Sequence, residues 1–255
     1  MRVAVITPYY QEPIEYLQRC IQSVREQSYS TNHFLVADGH PQNWLDHEGV
    51  RHIKLDQPCR DYGDTPRGIG ALLAVSSGYD AIAFLDADNW YLPNHVELCL
   101  QAAQKYDADL VIARRHIVRH DGSIMPFDLK NEYCLPVPKH VDTSCFFLLK
   151  GAFHTISRWI TMPAPLHKID DRIFWRSLQN DHLKAVITNQ VTVNYLNNYV
   201  HYAQACGEAP PPNAKAIVNI SDIYDWAIEQ SDEEIQRIQQ LIGLHILNDL
   251  GLTKP

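Results

Sequence analysis

Residues 81–88, AIAFLDAD, form the stretch around which this chain is expected to be organised. The five apolar residues predict a strand buried inside a sheet. Side chains two apart on an extended backbone point to the same side, so Asp86 and Asp88 are expected to lie together where the strand ends. In α/β sheets, ligands bind in the crevice outside the carboxyl ends of the strands.

Two carboxylates at a strand exit suit Mg²⁺ or Mn²⁺. Both ions prefer oxygen ligands, and Mg²⁺ is commonly held by one or two carboxylates together with substrate phosphates. The alternative is structural, because Asp and Asn after a strand also build turns and cap helices. The triplet Asp86-Ala87-Asp88 by itself favours the structural alternative. The motifs elsewhere in the sequence reverse that choice.

Strands and helices alternate through the first part of the chain. Apolar runs predict strands over residues 3–6, 33–37, 51–55 and 109–113, and helical periodicity predicts helices over residues 13–27, 67–77 and 93–106. This alternation is typical of a mostly parallel sheet with helices on both faces. The first 110 residues therefore resemble a nucleotide-binding half.

The pattern changes after residue 110. Asp121-Gly122 between two strand-like runs predicts a hairpin and antiparallel strands. Later elements are predicted as strands over residues 141–149, 185–188 and 191–202, and as helices over residues 170–178, 221–230 and 231–250. Residues 208–215, EAPPPNAK, form a proline-rich loop that is either a linker or a lid.

Composition excludes several classes of protein. A formal net charge of -8 argues against nucleic-acid binding, which needs a basic surface. No apolar run is long enough for a membrane span, and the N-terminus lacks the apolar length of a signal peptide. The six cysteines include no C-x-x-C pair, so we expect free thiols in a soluble, cytoplasmic protein.

Five short motifs occur in an order that resembles the family 2 glycosyltransferases of the GT-A fold. They are TPYY at 7–10, residues 18–29, VADG at 36–39, LDADN at 85–89 and DDRIFW at 170–175. The resemblance implies an α/β fold, a Rossmann-like three-layer α/β/α arrangement with a mostly parallel central sheet, a small antiparallel acceptor-side region and C-terminal helices. It implies one domain over residues 1–255, in which 1–110 bind the nucleotide sugar, 111–205 bind the acceptor, and 206–255 hold the proline-rich loop and C-terminal helices.

The resemblance assigns the two acids to the sugar donor. Asp86 is expected to contact the nucleotide sugar, and Asp88 to bind the Mn²⁺ or Mg²⁺ that acts as a Lewis acid on the diphosphate. His201 is expected as a third metal ligand. The chain has 13 histidines, so a chance location near the site is the alternative for His201.

Four more residues are expected at the nucleotide. By resemblance, Asp38 accepts a hydrogen bond from the base, and Pro8 and Tyr9 lie in the loop against which the base packs. Arg67 is expected near the diphosphate, a good partner for a guanidinium. An exposed arginine at a helix start is the equal alternative for Arg67.

On the acceptor side, the resemblance places the catalytic base at Asp171. An inverting transfer needs a base opposite the leaving diphosphate, to take the proton of the attacking hydroxyl. The alternative is that two acids in the first turn of a helix only complement its dipole, and the role of Asp170 stays open. Arg114, Arg115 and Arg119 are interpreted as a solvated strand face in preference to contacts with an anionic acceptor.

The predicted function is a metal-dependent, inverting glycosyltransferase that moves a sugar from a nucleotide diphosphate sugar, UDP-sugar above others, to a hydroxyl acceptor in polysaccharide, lipid or other glycoconjugate synthesis. The alternatives are a catalytically inactive sugar-nucleotide-binding or interaction protein of the same fold, and a sugar-1-phosphate nucleotidyltransferase. A stripe of apolar side chains near the C-terminus is either a homodimer seam or packs on its own domain; its members are Ile235, Ile238, Leu241, Ile242 and His245.

Overall fold

An eight-stranded mixed sheet runs through the part of the chain that the computed structural model describes, which is residues 1–127, 140–216 and 218–252. Cys134, expected as a free thiol, lies outside these ranges. The strands are β1 (Val3–Tyr9), β2 (Thr31–Ala37), β3 (Arg51–Lys54), β4 (Ala81–Phe84), β5 (Trp90–Tyr91), β6 (Leu110–Val118), β7 (Phe146–Leu149) and β8 (Ala185–Leu196).

Helices pack on this sheet and close the chain. The α-helices of the described residues are α1 (Ile14–Arg25), α2 (Asp64–Ser76), α3 (His95–Tyr106), α4 (Ser157–Thr161), α5 (Asp170–Gln179), α6 (Val200–Ala205), α7 (Ser221–Glu229), α8 (Asp232–Ile242) and α9 (Ile246–Leu250). Single 3₁₀ segments lie at Asn43–His47, Thr143–Cys145, Lys150–Thr155 and Ala164–Ile169. None of the helices within the described ranges is both long and apolar enough to cross a bilayer.

The sheet has the strand order β3-β2-β1-β4-β7-β6-β8-β5. The first four of these strands are parallel, β7 is antiparallel to both β4 and β6, β6 and β8 are parallel, and β5 is antiparallel to β8. This confirms the expected parallel first half and a second half with antiparallel strands. The carboxyl ends of β1, β2 and β4 therefore share one edge of the sheet.

The sheet is buried by close packing of α2 on one face. A Cβ added at Gly70 would lie 2.8 Å from side-chain carbons of both Ile6 and Val36, too close for carbon atoms. Glycine at this position lets the helix approach β1 and β2. The four residues of β4 are completely buried, as the apolar run predicted.

The predictions for the second half differ from the structure in two strands. The predicted strand over residues 141–149 begins only at Phe146, because Asp142 accepts a hydrogen bond from the Ser144 backbone N–H and starts a 3₁₀ turn. The two predicted strands over residues 185–202 are one long strand, β8, followed by α6. The Asp121-Gly122 turn is present, with one antiparallel bridge between Val118 and Ile124.

The C-terminal region also departs from the prediction. The helix predicted over residues 231–250 is two helices, because Gly243 adopts a left-handed φ of 69° and ends α8. The side chain of Ser231 accepts the backbone N–H of Glu234, which confirms the predicted N-terminal cap. Ile235, Ile238 and Ile242 of the apolar stripe are buried within the chain, so they pack on their own domain.

Candidate active site

The turn after β4 holds the two acids at the edge of the sheet. Asn89 is buried; its side chain donates to Ser144 Oγ (3.0 Å) and accepts the Leu196 backbone N–H (3.0 Å). The Asp86 backbone N–H also donates to Ser144 Oγ (3.2 Å). Asn89 therefore stabilises the turn, and the carboxylates of Asp86 and Asp88 are left for side-chain partners.

The carboxylates of Asp86 and Asp88 suit a hard divalent cation. Asp86 Oδ1 accepts from Arg67 (3.0 Å) and Asp88 Oδ2 accepts from Asn198 Nδ2 (2.8 Å), which leaves the second oxygen of each acid for another ligand. Burial raises the pKa of Asp88 to about 7, and the charge of Asp86 adds to this rise. A bound cation would relieve that repulsion, so the donor set fits Mg²⁺ or Mn²⁺ with phosphate and water as further ligands.

His201 lies in the first turn of α6, with its ring 4.0 Å from the ring of Tyr202. Within the described residues, no three His, Cys, Asp or Glu side chains form a group that would hold a metal. The role of His201 as a third metal ligand stays a prediction.

Arg67 lies at the centre of a buried charge cluster. Its side chain is only 3% exposed; Nη1 contacts Asp64 (2.9 Å) and Asp170 (3.6 Å), and Nη2 contacts Asp86 (3.0 Å). The guanidinium also lies 4.6 Å above the Trp159 ring. The alternative of an exposed helix-start arginine is therefore wrong. Arg67 holds Asp86 in place and links α2 to the start of α5.

The charge cluster contains more acid than Arg67 can balance. Asp64 also pairs with His167 Nδ1 (2.6 Å) and shares a hydrogen bond with the carboxyl group of Asp170. Burial raises the pKa of Asp64 to about 7 and raises the pKa of Asp170 well above its usual value. Burial and the neighbouring acid therefore disfavour a negative charge on both carboxyl groups at once.

Asp171 differs from its neighbour Asp170 in the direction of its pKa shift. Burial acts to raise the pKa of Asp171, but the charge and hydrogen bond of His140 (Nε2 to Oδ2, 2.6 Å) outweigh it and hold the pKa below its usual value. Asp171 is therefore ionised at neutral pH, whereas burial raises the pKa of Asp170 well above its usual value. The pKa values of the two acids of the DDRIFW motif are thus shifted in opposite directions, and the role of Asp171 as the base stays a prediction.

A second buried ion pair lies between the strands of the second half. Arg115 Nη1 contacts Asp142 Oδ2 (2.9 Å), and both side chains are buried. The expectation of a solvated strand face is therefore wrong for Arg115. Burial raises the pKa of Asp142 to about 6 against the opposing effect of Arg115.

Tyr199 connects the two sides of the site. Burial raises its pKa to about 12, and the charges of Asp171, Asp142 and Asp88 each add to the rise. These acids therefore all lie close enough to Tyr199 for their fields to act on one phenol. Arg67, which contacts both Asp86 and Asp170, joins the turn after β4 to the start of α5, so Asp88 and Asp171 lie on neighbouring elements.

The remaining nucleotide residues lie at the ends of β1 and β2. Asp38 is buried, and its Oδ1 accepts the Cys59 backbone N–H (2.7 Å). Pro8 lies against Gly63, just before α2. Tyr9 belongs to the core, with its hydroxyl bonded to His52 Nε2 (2.7 Å). The contacts of Asp38, Pro8 and Tyr9 with a base stay predictions.

Several residues of this site lie outside the motifs. The i, i+3 spacing of Asp64 and Arg67 on a helix was a usable signal for an ion pair. The polar residues Asp142 and Ser144 within the otherwise apolar run over residues 141–149 were a second signal. The others meet partners far away in sequence and gave no local signal. The side chains that sequence reasoning missed are Asp64, His140, Asp142, Ser144, His167, Asn198 and Tyr199.

The buried acids predict that stability falls as the pH rises above 6.5. Asp64 and Asp88, with pKa values of about 7, hold protons that the unfolded chain has lost. The buried His33 and His95, whose pKa values are lowered to about 3, act in the opposite direction, but this effect fades as the pH rises past their unfolded pKa of about 6.5. Between pH 6.5 and 8, the free energy of unfolding should therefore fall by on the order of 1 kcal/mol.

Urea denaturation at pH 6.5, 7.2 and 8.0 in the presence of a chelator measures this decline. The variant Asp88→Asn should show a smaller decline than wild type, because one of the two acids no longer titrates. A free energy of unfolding that rises over this interval would contradict the assignment of protonated buried acids.

Comparison with known proteins supports the sequence resemblance. Residues 4–156 match the sequence model of Glycosyl transferase family 2. Comparison with curated protein sequences finds no significant match.

Among solved structures, the chain is similar to TarS of S. aureus. TarS 1-349 in complex with UDP gives a TM-score of 0.60 at 13% identity, covering 99% of this chain and 73% of that one. The complex of TarS 1-349 with UDP-GlcNAc gives a TM-score of 0.57 at 13% identity, covering 99% of this chain and 74% of that one. A longer TarS chain gives a TM-score of 0.58 at 13% identity, covering 100% of this chain and 44% of that one. At this identity the likeness concerns the fold, and it confirms the predicted GT-A architecture.

The family match covers more than half of the chain and includes β1, β2, β4 and both acids of the β4 turn, and the protein therefore belongs to glycosyl transferase family 2.

Proposed function

We propose that this enzyme transfers a sugar from a UDP-sugar to a hydroxyl group of an acceptor, with inversion at the anomeric carbon and with Mn²⁺ or Mg²⁺ at Asp86 and Asp88. The observation that carries the proposal is that Arg67 contacts both Asp86 (3.0 Å), at the end of β4, and Asp170 (3.6 Å), at the start of α5. The turn that carries Asp86 and Asp88 therefore lies beside the helix start that carries Asp171. UDP as the nucleotide is supported by Asp38 at the end of β2 and by the complexes of TarS with UDP and UDP-GlcNAc.

The reaction needs a proton acceptor on the acceptor side. Asp171 is ionised, and His140 orients its carboxylate, so this carboxylate can accept the proton of the attacking hydroxyl. Arg67 keeps Asp86 at the strand exit, and Asn198 keeps Asp88 there. A divalent cation bound to these acids supplies Lewis-acid stabilisation of the diphosphate.

Metal-dependent UDP binding tests the donor site. With UDP at about 100 times its dissociation constant and with Mn²⁺, the free energy of unfolding should rise by about 2.7 kcal/mol. The gain should disappear with a chelator and in Asp88→Asn. Thermal unfolding with UDP, GDP, dTDP, CDP and ADP, each with and without Mn²⁺, measures the effect and identifies the nucleotide.

The matched control is Asp107→Asn. Asp107 is exposed, and it caps α3 in a left-handed conformation that Asn also accepts. This variant should respond to UDP and Mn²⁺ as wild type does. An equal UDP response in wild type and Asp88→Asn would show that the β4 acids do not form the donor site.

A further inference from the structure

A cavity of about 320 Å³ opens beside Asp88. Its lining includes Tyr10, Glu12, Tyr16 and Lys215. Among the described residues around this cavity, Lys215 alone carries a positive charge, whereas Asp88 and Glu12 are acids. A nucleoside diphosphate next to Asp88 would therefore meet two carboxylates and one ammonium group.

Arg67 cannot serve as the cation of this cavity. It is 3% exposed and already contacts the carboxylates of Asp64, Asp86 and Asp170. Drawing it toward a phosphate would leave buried acids without a counter-charge, which is costly. The contact of Arg67 with the diphosphate stays a prediction, and the ion pairs of Arg67 favour a further cation for this cavity.

Backbone hydrogen bonds fix Lys215 next to the metal-site acid. Its N–H donates to the Asn198 carbonyl (2.7 Å), and its own carbonyl accepts the Val200 N–H (3.0 Å). The Asn198 side chain in turn donates to Asp88 (2.8 Å). The Lys215 main chain is thus tied, through one residue, to the carboxylate of Asp88, while its side chain is exposed.

The other end of the proline-rich loop, residues 208–215, is held by a second contact. Glu208 pairs with Arg119, with Nε to Oε2 at 2.9 Å and a further bond from Nη2 to Oε1. Three prolines between these two anchors restrict the backbone of the segment. The segment therefore presents Lys215 at a defined position, which lowers the entropy lost when the lysine binds a ligand.

We infer that Lys215 binds the diphosphate of the nucleotide sugar and of the nucleoside diphosphate product, an inference that rests on the proposed function. In the transfer, the bond between the anomeric carbon and a phosphate oxygen breaks, and its electron pair stays on the diphosphate. The acceptor oxygen forms the new bond, and its proton passes to Asp171. The ammonium group of Lys215 keeps its protons and offsets the new negative charge.

The charge of Lys215 already reaches the acids of the cavity. It acts to lower the pKa of Asp88 and of Glu12, although burial raises both values overall. Removing a lysine that only neutralised these acids would weaken UDP and UMP alike, because the two carboxylates would then repel any phosphate. If Lys215 binds the diphosphate, its removal should weaken the binding of each ligand in proportion to the phosphate that the ligand carries beyond the first.

Calorimetric titration of wild type, Lys215→Ala and Lys215→Arg with UDP, UMP and uridine, all with Mn²⁺, tests the inference. We expect Lys215→Ala to weaken the binding of UDP about 10- to 100-fold and to leave the binding of uridine unchanged. Lys215→Arg should retain most of the UDP affinity. Lys184→Ala, at an exposed lysine that pairs with Asp107, is the matched control and should bind UDP as wild type does.

The outcomes separate this inference from the proposed function. If wild type and Lys215→Ala bind UDP equally, the role of Lys215 is overturned and the proposed function stands. If uridine and UDP are weakened equally, Lys215 supports the fold of the pocket and not the diphosphate. If wild type binds none of the three ligands, the proposed function fails and this inference fails with it.

Discussion

Replacing Asp171 with Asn is expected to lower the turnover number by about 10²- to 10⁴-fold, because the amide cannot take the proton of the attacking hydroxyl. UDP binding should be unchanged, since the carboxylates of the donor site remain. UDP release from a panel of UDP-sugars, with water as the acceptor, measures turnover without knowledge of the natural acceptor. Calorimetry with UDP and Mn²⁺ measures binding separately.

The adjacent Asp170 provides the matched control. Burial raises the pKa of its carboxyl group well above the usual value, and Asn keeps the shape of that group and can donate a hydrogen bond to Asp64. The turnover number of Asp170→Asn should therefore fall about tenfold or less, a far smaller loss than that of Asp171→Asn. Equal losses in the two variants would indicate that both acids act through the start of α5. Full turnover in Asp171→Asn would exclude it as the base.

Replacing Arg67 with Met is expected to destabilise the protein by roughly 3–5 kcal/mol, because one side of a buried charge network is removed. Asp64, Asp86 and Asp170 would then lie together without a guanidinium. The loss should be larger at pH 8 than at pH 6, because the acids can take up protons at the lower pH. Chemical denaturation at both pH values measures the loss.

Two variants control this result. Arg176→Met, at an exposed arginine on α5, should change the free energy of unfolding by less than about 0.5 kcal/mol. Arg67→Lys should lie between wild type and Arg67→Met, because an ammonium group keeps the charge but loses the fork that reaches three carboxylates. A small, pH-independent effect of Arg67→Met would contradict a central role for Arg67 in this cluster.

Much of the fold was encoded in local sequence patterns. The apolar run before Asp86, the strands that become β1 and β2, and the amphipathic periods of α1 and α3 each predicted their element within a few residues. These predictions succeeded because the period of a helix or strand is set by neighbours in the chain. The merged strand β8 and the break at Gly243 were missed, since tertiary packing decides whether such segments continue.

For the site, the sequence by itself determined which acids end β4 and which begin α5. The tertiary structure decided what those acids do. His167 meets Asp64 across 103 residues, Asn198 meets Asp88 across 110, and His140 meets Asp171 across 31. These contacts, together with burial, lower the pKa of Asp171 and raise that of Asp170. A pKa depends on the charges and the water around a group in three dimensions, and no local pattern along the chain carries that information.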